Sequence, residues 1–140
     1  MIRSYKIEDL NNVMNLWLDT NIEAHSFIDK TYWQDNYAMV KDVMPRATIY
    51  VYIQDNEIQA FIGLIGNYIE GIFVSNEFQS KGIGKALLDY TKVKNNELSL
   101  SVYKKNNRAV RFYLREGFSV TAEQIDENTG EIDFLMKWAK

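Results

Sequence analysis

The period of the hydrophobic pattern changes at Thr48, and no other feature of the sequence limits the fold as much. Upstream, Leu10, Val13, Met14 and Trp17 recur at i, i+3, i+4 and i+7, the spacing of one buried helix face. Downstream, Ile49, Val51 and Ile53 alternate with Tyr50, Tyr52 and Gln54. After Asp55-Asn56 the alternation resumes with Ile58, Ala60, Ile62 and Leu64. Period two on both sides of a short turn specifies an antiparallel hairpin. Gly66-Asn67 turns the chain again, so Tyr68 to Val74 reads as a third strand of one meander. That strand leads into the loop Gln79-Ser80-Lys81-Gly82-Ile83-Gly84 and a helix with Ile83, Ala86, Leu87, Tyr90 and Val93 on one face.

The remaining elements fall around this centre. Ile2 to Tyr5 predicts a short edge strand, and a second helix begins at Thr31. Thr31 and Gln34 have capping-box spacing, Trp33, Tyr37, Val40 and Met44 form its stripe, and Pro45 ends it. Asn21 to Lys30 connects the first two helices and holds the only histidine, His25. Leu98, Leu100 and Val102 predict another strand. Asn106 caps a short helix carrying Ala109, Phe112 and Tyr113 that stops at Gly117. A last hairpin pairs Phe118, Val120 and Ala122 with Ile132, Phe134 and Met136 across Asp126 to Gly130. The order β-α-α-β-β-β-α-β-α-β-β is expected to occupy one domain, residues 1–140. The strands flanking the Ile83 helix should be parallel, with a right-handed crossover.

Composition narrows the function. The chain has 140 residues, 46% of them hydrophobic, enough for a real core. It contains no cysteine, which removes disulfides, thiolate catalysis and thiolate zinc sites together. A single histidine makes a metal site unexpected. Sixteen basic against 19 acidic residues give a net charge of −3, which argues against nucleic acid and for a small molecule, a cationic group or a protein as partner. Neither a signal-peptide core nor an apolar stretch of membrane-spanning length is present, so a cytoplasmic protein with no membrane partner is expected.

A strand, a glycine-bearing loop and a helix make an anion site on physical grounds. Helix-start amides are unpaired and the macrodipole adds positive charge there. Gly82 and Gly84 let a diphosphate approach the backbone, and Lys81 and Lys85 add charge. Glycines at such a position also serve as plain turn residues. Two nucleotide motifs are excluded. Leu87 stands where a dinucleotide fingerprint needs its third small residue. A P-loop would place glycine at Gln79 and Ser or Thr at Ala86.

The stretch Gly71 to Leu88, with Gln79-x-x-Gly82-x-Gly84 after a strand, resembles the central motif of the GNAT superfamily of N-acetyltransferases. A second motif of that family is matched by Asn106-x-x-Ala109-x-x-Phe112-Tyr113-x-x-x-Gly117-Phe118. Motifs and element order together extend the resemblance over essentially the whole chain, and the likeness is to small bacterial members, some acting on protein lysines. It implies an α/β (α+β) fold with a mixed, mostly antiparallel sheet of about six or seven strands and helices on both faces.

The resemblance also implies a chemistry: transfer of acetyl from acetyl-CoA to a primary amine by direct attack in a ternary complex. Backbone groups around Ile72 and Val74 would pair with the pantetheine arm of the donor. The amides of Gln79, Ser80, Lys81, Gly82, Ile83 and Gly84, with Lys85 beside them, would hold the pyrophosphate. Asn106 would bond the same cofactor, cap a helix, or do both. Tyr113 matches the family's general acid for the departing thiolate, or else is a core aromatic beside Phe112, which should pack inward. Glu70, two residues from Ile72 and hence on the same face of an unbroken strand, would be the base, or else only attracts a cationic substrate. His25, with Trp33 close in sequence, would line the acceptor site, or else is a hydrogen-bonded structural residue. A CoA-binding regulatory module without chemistry is a rival reading. Acetylation of aminoacyl-tRNA is a weaker one, given the acidic balance. Polyamines, aminoglycosides, amino acids and protein lysines or N-termini all suit the acceptor role, and both monomer and homodimer fit.

Overall fold

The computed structural model describes residues 1–140. Seven strands form one sheet in the order β1-β2-β3-β4-β5-β7-β6. These are β1 (Ile2–Ser4), β2 (Thr48–Gln54), β3 (Glu57–Ile65), β4 (Tyr68–Val74), β5 (Glu97–Tyr103), β6 (Ser119–Ile125) and β7 (Ile132–Ala139). Four helices, α1 (Leu10–Ala24), α2 (Lys30–Val43), α3 (Ile83–Val93) and α4 (Asn107–Arg115), complete the fold. Every strand pair is antiparallel except β4 with β5, the pair that the α3 crossover joins.

Alternation along the strands divides the core in two. Ala60, Ile62, Leu64, Ile69, Leu98, Leu100 and Met136 pack beneath α3 and α4. Ile49, Val51 and Phe61 face the other way and join Val13, Met14, Trp17 and Trp33 of α1 and α2. Helices therefore cover both faces of the sheet. Strand β3 lies at the centre, so all six residues from Gln59 to Leu64 are buried. The β2–β3 turn has positive φ at Asp55 (57°) and Asn56 (62°), the paired left-handed conformation that Asp and Asn tolerate.

Some local expectations shift. Helix α2 is capped by Asp29, whose carboxylate accepts from the Thr31 amide at 3.0 Å, so Thr31 and Gln34 form no capping box. In α3 the buried stripe is Ile83, Leu87, Leu88 and Thr91, and Val93 is 78% exposed. Val93 stands on the last turn, past the end of the sheet surface that the helix covers. Strand β6 is exposed along its whole length as the far edge of the sheet, so Val120 and Ala122 are not core residues.

Candidate functional site

Two irregularities in β4 create the site. The first is a β-bulge: Gly63 pairs with Gly71 and Leu64 with Ile69, leaving Glu70 as an extra residue without a partner. The second is a short ladder: β4 pairs with β5 only at Tyr68–Ser99 and Ile69–Leu100. Beyond Ile69 the two parallel strands separate, and β4 from Glu70 to Val74 has no ladder partner on that side. An extended ligand can add to such an open edge by main-chain hydrogen bonds. The bulge also breaks alternation, since Ile69 and Ile72, three residues apart, both reach the α3 side of the core. The inference that Glu70 shares a face with Ile72 therefore does not hold.

The loop after β4 opens into α3 at the mouth of this gap. Gly82 caps α3 with φ +81°, a left-handed position that glycine adopts without cost, and Ser80 beside it also has positive φ (63°). The first intrahelical bond runs from the Ala86 amide to the Gly82 carbonyl, so the amides of Ile83, Gly84 and Lys85 have no protein partner. A Cβ added to Gly84 would lie 3.6 Å from Phe112 Cζ and 3.8 Å from Ile72 Cγ2, ordinary contact distances. Neither packing nor φ demands glycine there.

Side chains brace the loop from outside. Gln79 Nε2 donates to the Val74 carbonyl at 3.1 Å, and Gln79 Oε1 accepts from Arg108 Nη1 at 2.6 Å. Arg108 Nη2 donates to Ser80 Oγ, also at 2.6 Å. Gln79 and Ser80 thus contribute side chains that shape the loop, and Arg108 is a cation at this site that sequence reasoning missed. The contact links a strand-following loop to a different helix, and no local pattern signals it. Lys81 lies over the Phe78 ring at 5.4 Å. Lys85 is engaged elsewhere: its ammonium meets Asp89 at 3.0 Å and Glu116 at 3.1 Å, and these bonds raise its pKa.

Helix α4 begins and ends on specific bonds. Asn106 Oδ1 accepts from the Ala109 amide at 3.3 Å, the N-cap the sequence predicts. At the other end Gly117 (φ +95°) donates to the Leu114 carbonyl and Phe118 to the Tyr113 carbonyl, a Schellman closure. The Phe118 ring lies 5.5 Å from the Tyr113 ring and Phe112 lies 5.2 Å from it on another side. Tyr113 is thereby fixed and only 7% exposed, while Phe112, expected to be the inward residue, is half-buried. Burial alone pushes the Tyr113 phenol well above its ordinary pKa of 10, and its hydroxyl bonds to no protein group.

The opposite flank of the gap is aromatic and acidic. His25 stacks on Trp33 at 5.1 Å and meets the edge of Tyr103 at 5.2 Å, with Phe27 and Tyr32 completing the cluster. Trp33 itself is buried, so its contribution to a site is through the ring that supports His25. The Tyr103 hydroxyl donates to Asp126 Oδ2 at 2.6 Å, joining β5 to the β6–β7 turn. Neither Tyr103 nor Asp126 was signalled by the sequence, because each acquires its role only when distant segments meet. Glu70 keeps solvent access, yet desolvation by the surrounding protein raises its carboxyl above the ordinary glutamate value of 4.5. Burial raises the Tyr68 phenol, and the charges of Glu70 and Asp133 add to the effect. One oxygen of Asp133, Oδ1, is buried without a donor. A separate cleft of about 360 Å³ between Arg3, Asp9 and Glu57 lies at the β1 end, far from this chemistry, and Arg3 and Asp9 satisfy each other there. No group of His, Asp and Glu is arranged to hold a metal, and no helix is long and apolar enough to cross a membrane.

Comparison with known proteins points the same way. Residues 45–120 match the family model described as an acetyltransferase (GNAT) domain. The chain is 31% identical to the peptidyl-lysine N-acetyltransferase YiaC of Escherichia coli over 140 residues, covering 99% of this chain and 96% of that protein. Its fold matches the solution structure of apo YjaB from Escherichia coli with a TM-score of 0.87, at 22% identity over 99% of this chain and 96% of that one. An aminoglycoside 6'-N-acetyltransferase complexed with coenzyme A has the same fold, with a TM-score of 0.75 at 13% identity, covering 99% of this chain and 96% of that one.

Proposed function

The chain belongs to the GNAT family and is an N-acetyltransferase, and we propose that acetyl-CoA is its donor and a protein lysine its acceptor. The observation that carries the donor assignment is the gap between β4 and β5 with the unpaired amides of Ile83, Gly84 and Lys85 at its mouth. Those amides, with Arg108 and Lys81, suit a pyrophosphate, and the open edge of β4 from Glu70 to Val74 suits the amides of a pantetheine arm. The Val74 carbonyl already accepts from Gln79, so Ile72 and its neighbours carry more of that pairing. Acetyl-CoA supplies an activated thioester; the remaining work falls to the residues of this chain.

Tyr113 is the general acid in this reading. A phenol held above its ordinary pKa stays protonated across the working range, so it has a proton to give to a departing thiolate. Glu70 is the base or the group that positions a water for the base role. It is the extra residue of the bulge where β4 leaves β5, and its raised pKa makes it a stronger proton acceptor than an ordinary glutamate. Glu70 and Asp133, neither in a salt bridge, favour an ammonium-bearing acceptor.

The lysine assignment draws on the name of the YiaC relative and on this acidic flank. A small amine, such as the acceptor named for the aminoglycoside enzyme of the same fold, is the second reading. Release of free CoA measured over lysine peptides, a folded protein acceptor, polyamines and aminoglycosides separates the two. Faster turnover on peptides supports the first reading, and turnover confined to small amines overturns it. Calorimetry that detects no acetyl-CoA binding overturns the donor assignment.

A further inference from the structure

His25 joins two parts of the molecule that are remote in sequence. It closes α1, with Nδ1 3.0 Å from the Asn21 carbonyl oxygen, while Nε2 lies 3.3 Å from Asn106 Nδ2, 81 residues further on. A carbonyl oxygen only accepts and an amide nitrogen only donates. One form of the ring satisfies both: neutral, with its proton on Nδ1 and a lone pair on Nε2. The Trp33 ring beneath it and the Tyr103 and Phe27 edges beside it hold the imidazole in place. Asn106 is consequently held at both ends of its amide, since Oδ1 also caps α4 through the Ala109 amide. Each of its polar atoms keeps one further bonding position, an N–H and a lone pair.

We propose that His25 is a positioning residue for the donor site: by accepting from Asn106 Nδ2 it fixes which way the Asn106 amide faces, so that the remaining N–H and lone pair meet acetyl-CoA in one orientation. The proposal rests on the donor assignment above. Its physical content is a conflict that protonation creates. A doubly protonated ring sets a donor against the Asn106 NH₂. Turning that amide over relieves the clash but faces NH₂ toward the Ala109 amide, which removes the cap of α4. The same helix carries Arg108 and Tyr113, so the acceptor-side cluster and the donor side are tied through a single neutral imidazole.

The groups around His25 leave this titration to the ring itself. Asn21 from α1, Trp33 from α2, Phe27 from the connecting turn, Tyr103 from β5 and Asn106 at the head of α4 face it, and none is charged. Charge stands one residue behind them: Asp126 on the Tyr103 hydroxyl, and Lys105 over the Phe27 ring and paired with Glu131 at 3.1 Å. Burial lowers the His25 pKa below 6.5, so the tie is intact at neutral pH and breaks only on acidification.

Two measurements test this. His25 is the only histidine, so a nitrogen-15 histidine spectrum at about pH 8 reads its tautomer directly; Nδ1 protonated is expected, and a proton on Nε2 overturns the proposal without reference to any cofactor. Acetyl-CoA is then titrated calorimetrically at about pH 8 and at an acidic pH where the same spectrum shows the ring protonated, into the wild type, His25→Gln and His25→Ala, with circular dichroism as a check on folding. Gln accepts from Asn106 without titrating. His25→Gln is therefore expected to match the wild type at high pH and to escape roughly fivefold of the affinity the wild type loses on acidification, the worth of about one net hydrogen bond. His25→Ala should bind about fivefold more weakly than His25→Gln at both pH values, and so match the wild type once its ring is protonated. A His25→Gln protein that follows the wild-type pH dependence overturns the role of His25, whether or not the alanine variant folds. A wild type that binds no acetyl-CoA overturns the donor assignment instead.

Discussion

The two flanks of the β4–β5 gap, donor and acceptor sides in the proposed reaction, offer groups of different kinds. On the donor side the groups offered are mainly backbone: the amides of Ile83, Gly84 and Lys85 and the open edge of β4, shaped by Gly82, Gln79 and Arg108. On the acceptor side they are side chains, with His25, Trp33 and Tyr103 packed against one another and Glu70, Asp126 and Asp133 around them. Backbone recognition depends on conformation, so it tolerates side-chain change but not a misplaced Cβ. Side-chain recognition depends on residue identity. One scaffold can keep its donor and change its acceptor for this reason.

Substitutions that act on one flank alone break this comparison or sharpen it. The largest effect is expected at Tyr113, the proposed general acid, whose role lies in the chemistry and not in donor binding. Tyr113→Phe should lower kcat by about 10²- to 10⁴-fold while calorimetry finds acetyl-CoA affinity nearly unchanged, and a retained rate would remove Tyr113 as the acid. Glu70 comes next. Only its ionised form accepts a proton, so kcat/KM should fall as pH drops through a value above 4.5, the direction in which desolvation has moved it. Glu70→Gln should abolish that acidic limb with a loss of about 10²-fold. It should also raise stability slightly at neutral pH, because burial disfavours the folded carboxylate. A profile identical to wild type would leave Glu70 outside the proton transfer.

Glycine substitutions address the donor side. Gly84→Ala meets Phe112 and Ile72 at ordinary contact distance. It should stabilise α3 by about 0.5–1 kcal/mol in a denaturant titration. The added methyl group also crowds the helix start where the proposed diphosphate would sit, so acetyl-CoA affinity should weaken roughly tenfold. Opposite signs for stability and binding mark a residue kept for its ligand; equal signs would make Gly84 a packing residue. Gly117→Ala gives the smallest effect on function. It forces a side chain into φ +95° with Trp138 Cδ1 3.3 Å away, and should destabilise the fold by about 1–2 kcal/mol. Some loss of turnover through Tyr113 should follow, and an unaltered melting curve would show that the Schellman end does not set the position of α4.

Much of the donor side was legible because its determinants are short in sequence. The glycine loop lies next to the strand and helix it joins, and Asn106, Tyr113 and Gly117 lie within one helix and its caps. The β4 bulge was not legible, since an extra residue in Tyr68 to Val74 shows only against the register of β3. It overturned the argument that Glu70 and Ile72 share a face. The engagement of Lys85 with Glu116 and of Arg108 with Gln79 was hidden for a similar reason: lysine and arginine read alike along a chain, and only packing decides which anion each one meets.

By itself the sequence determined the order of elements, the two-faced core and the helix start that can receive an anion. Periodicity and glycine placement act within a few residues of one another. The tertiary structure decided where β4 and β5 part, that Tyr113 rather than Phe112 is the more deeply buried ring, and that His25 meets Asn106 across 81 residues. Each of these depends on strand register or on contacts between distant segments, and no local pattern carries that information.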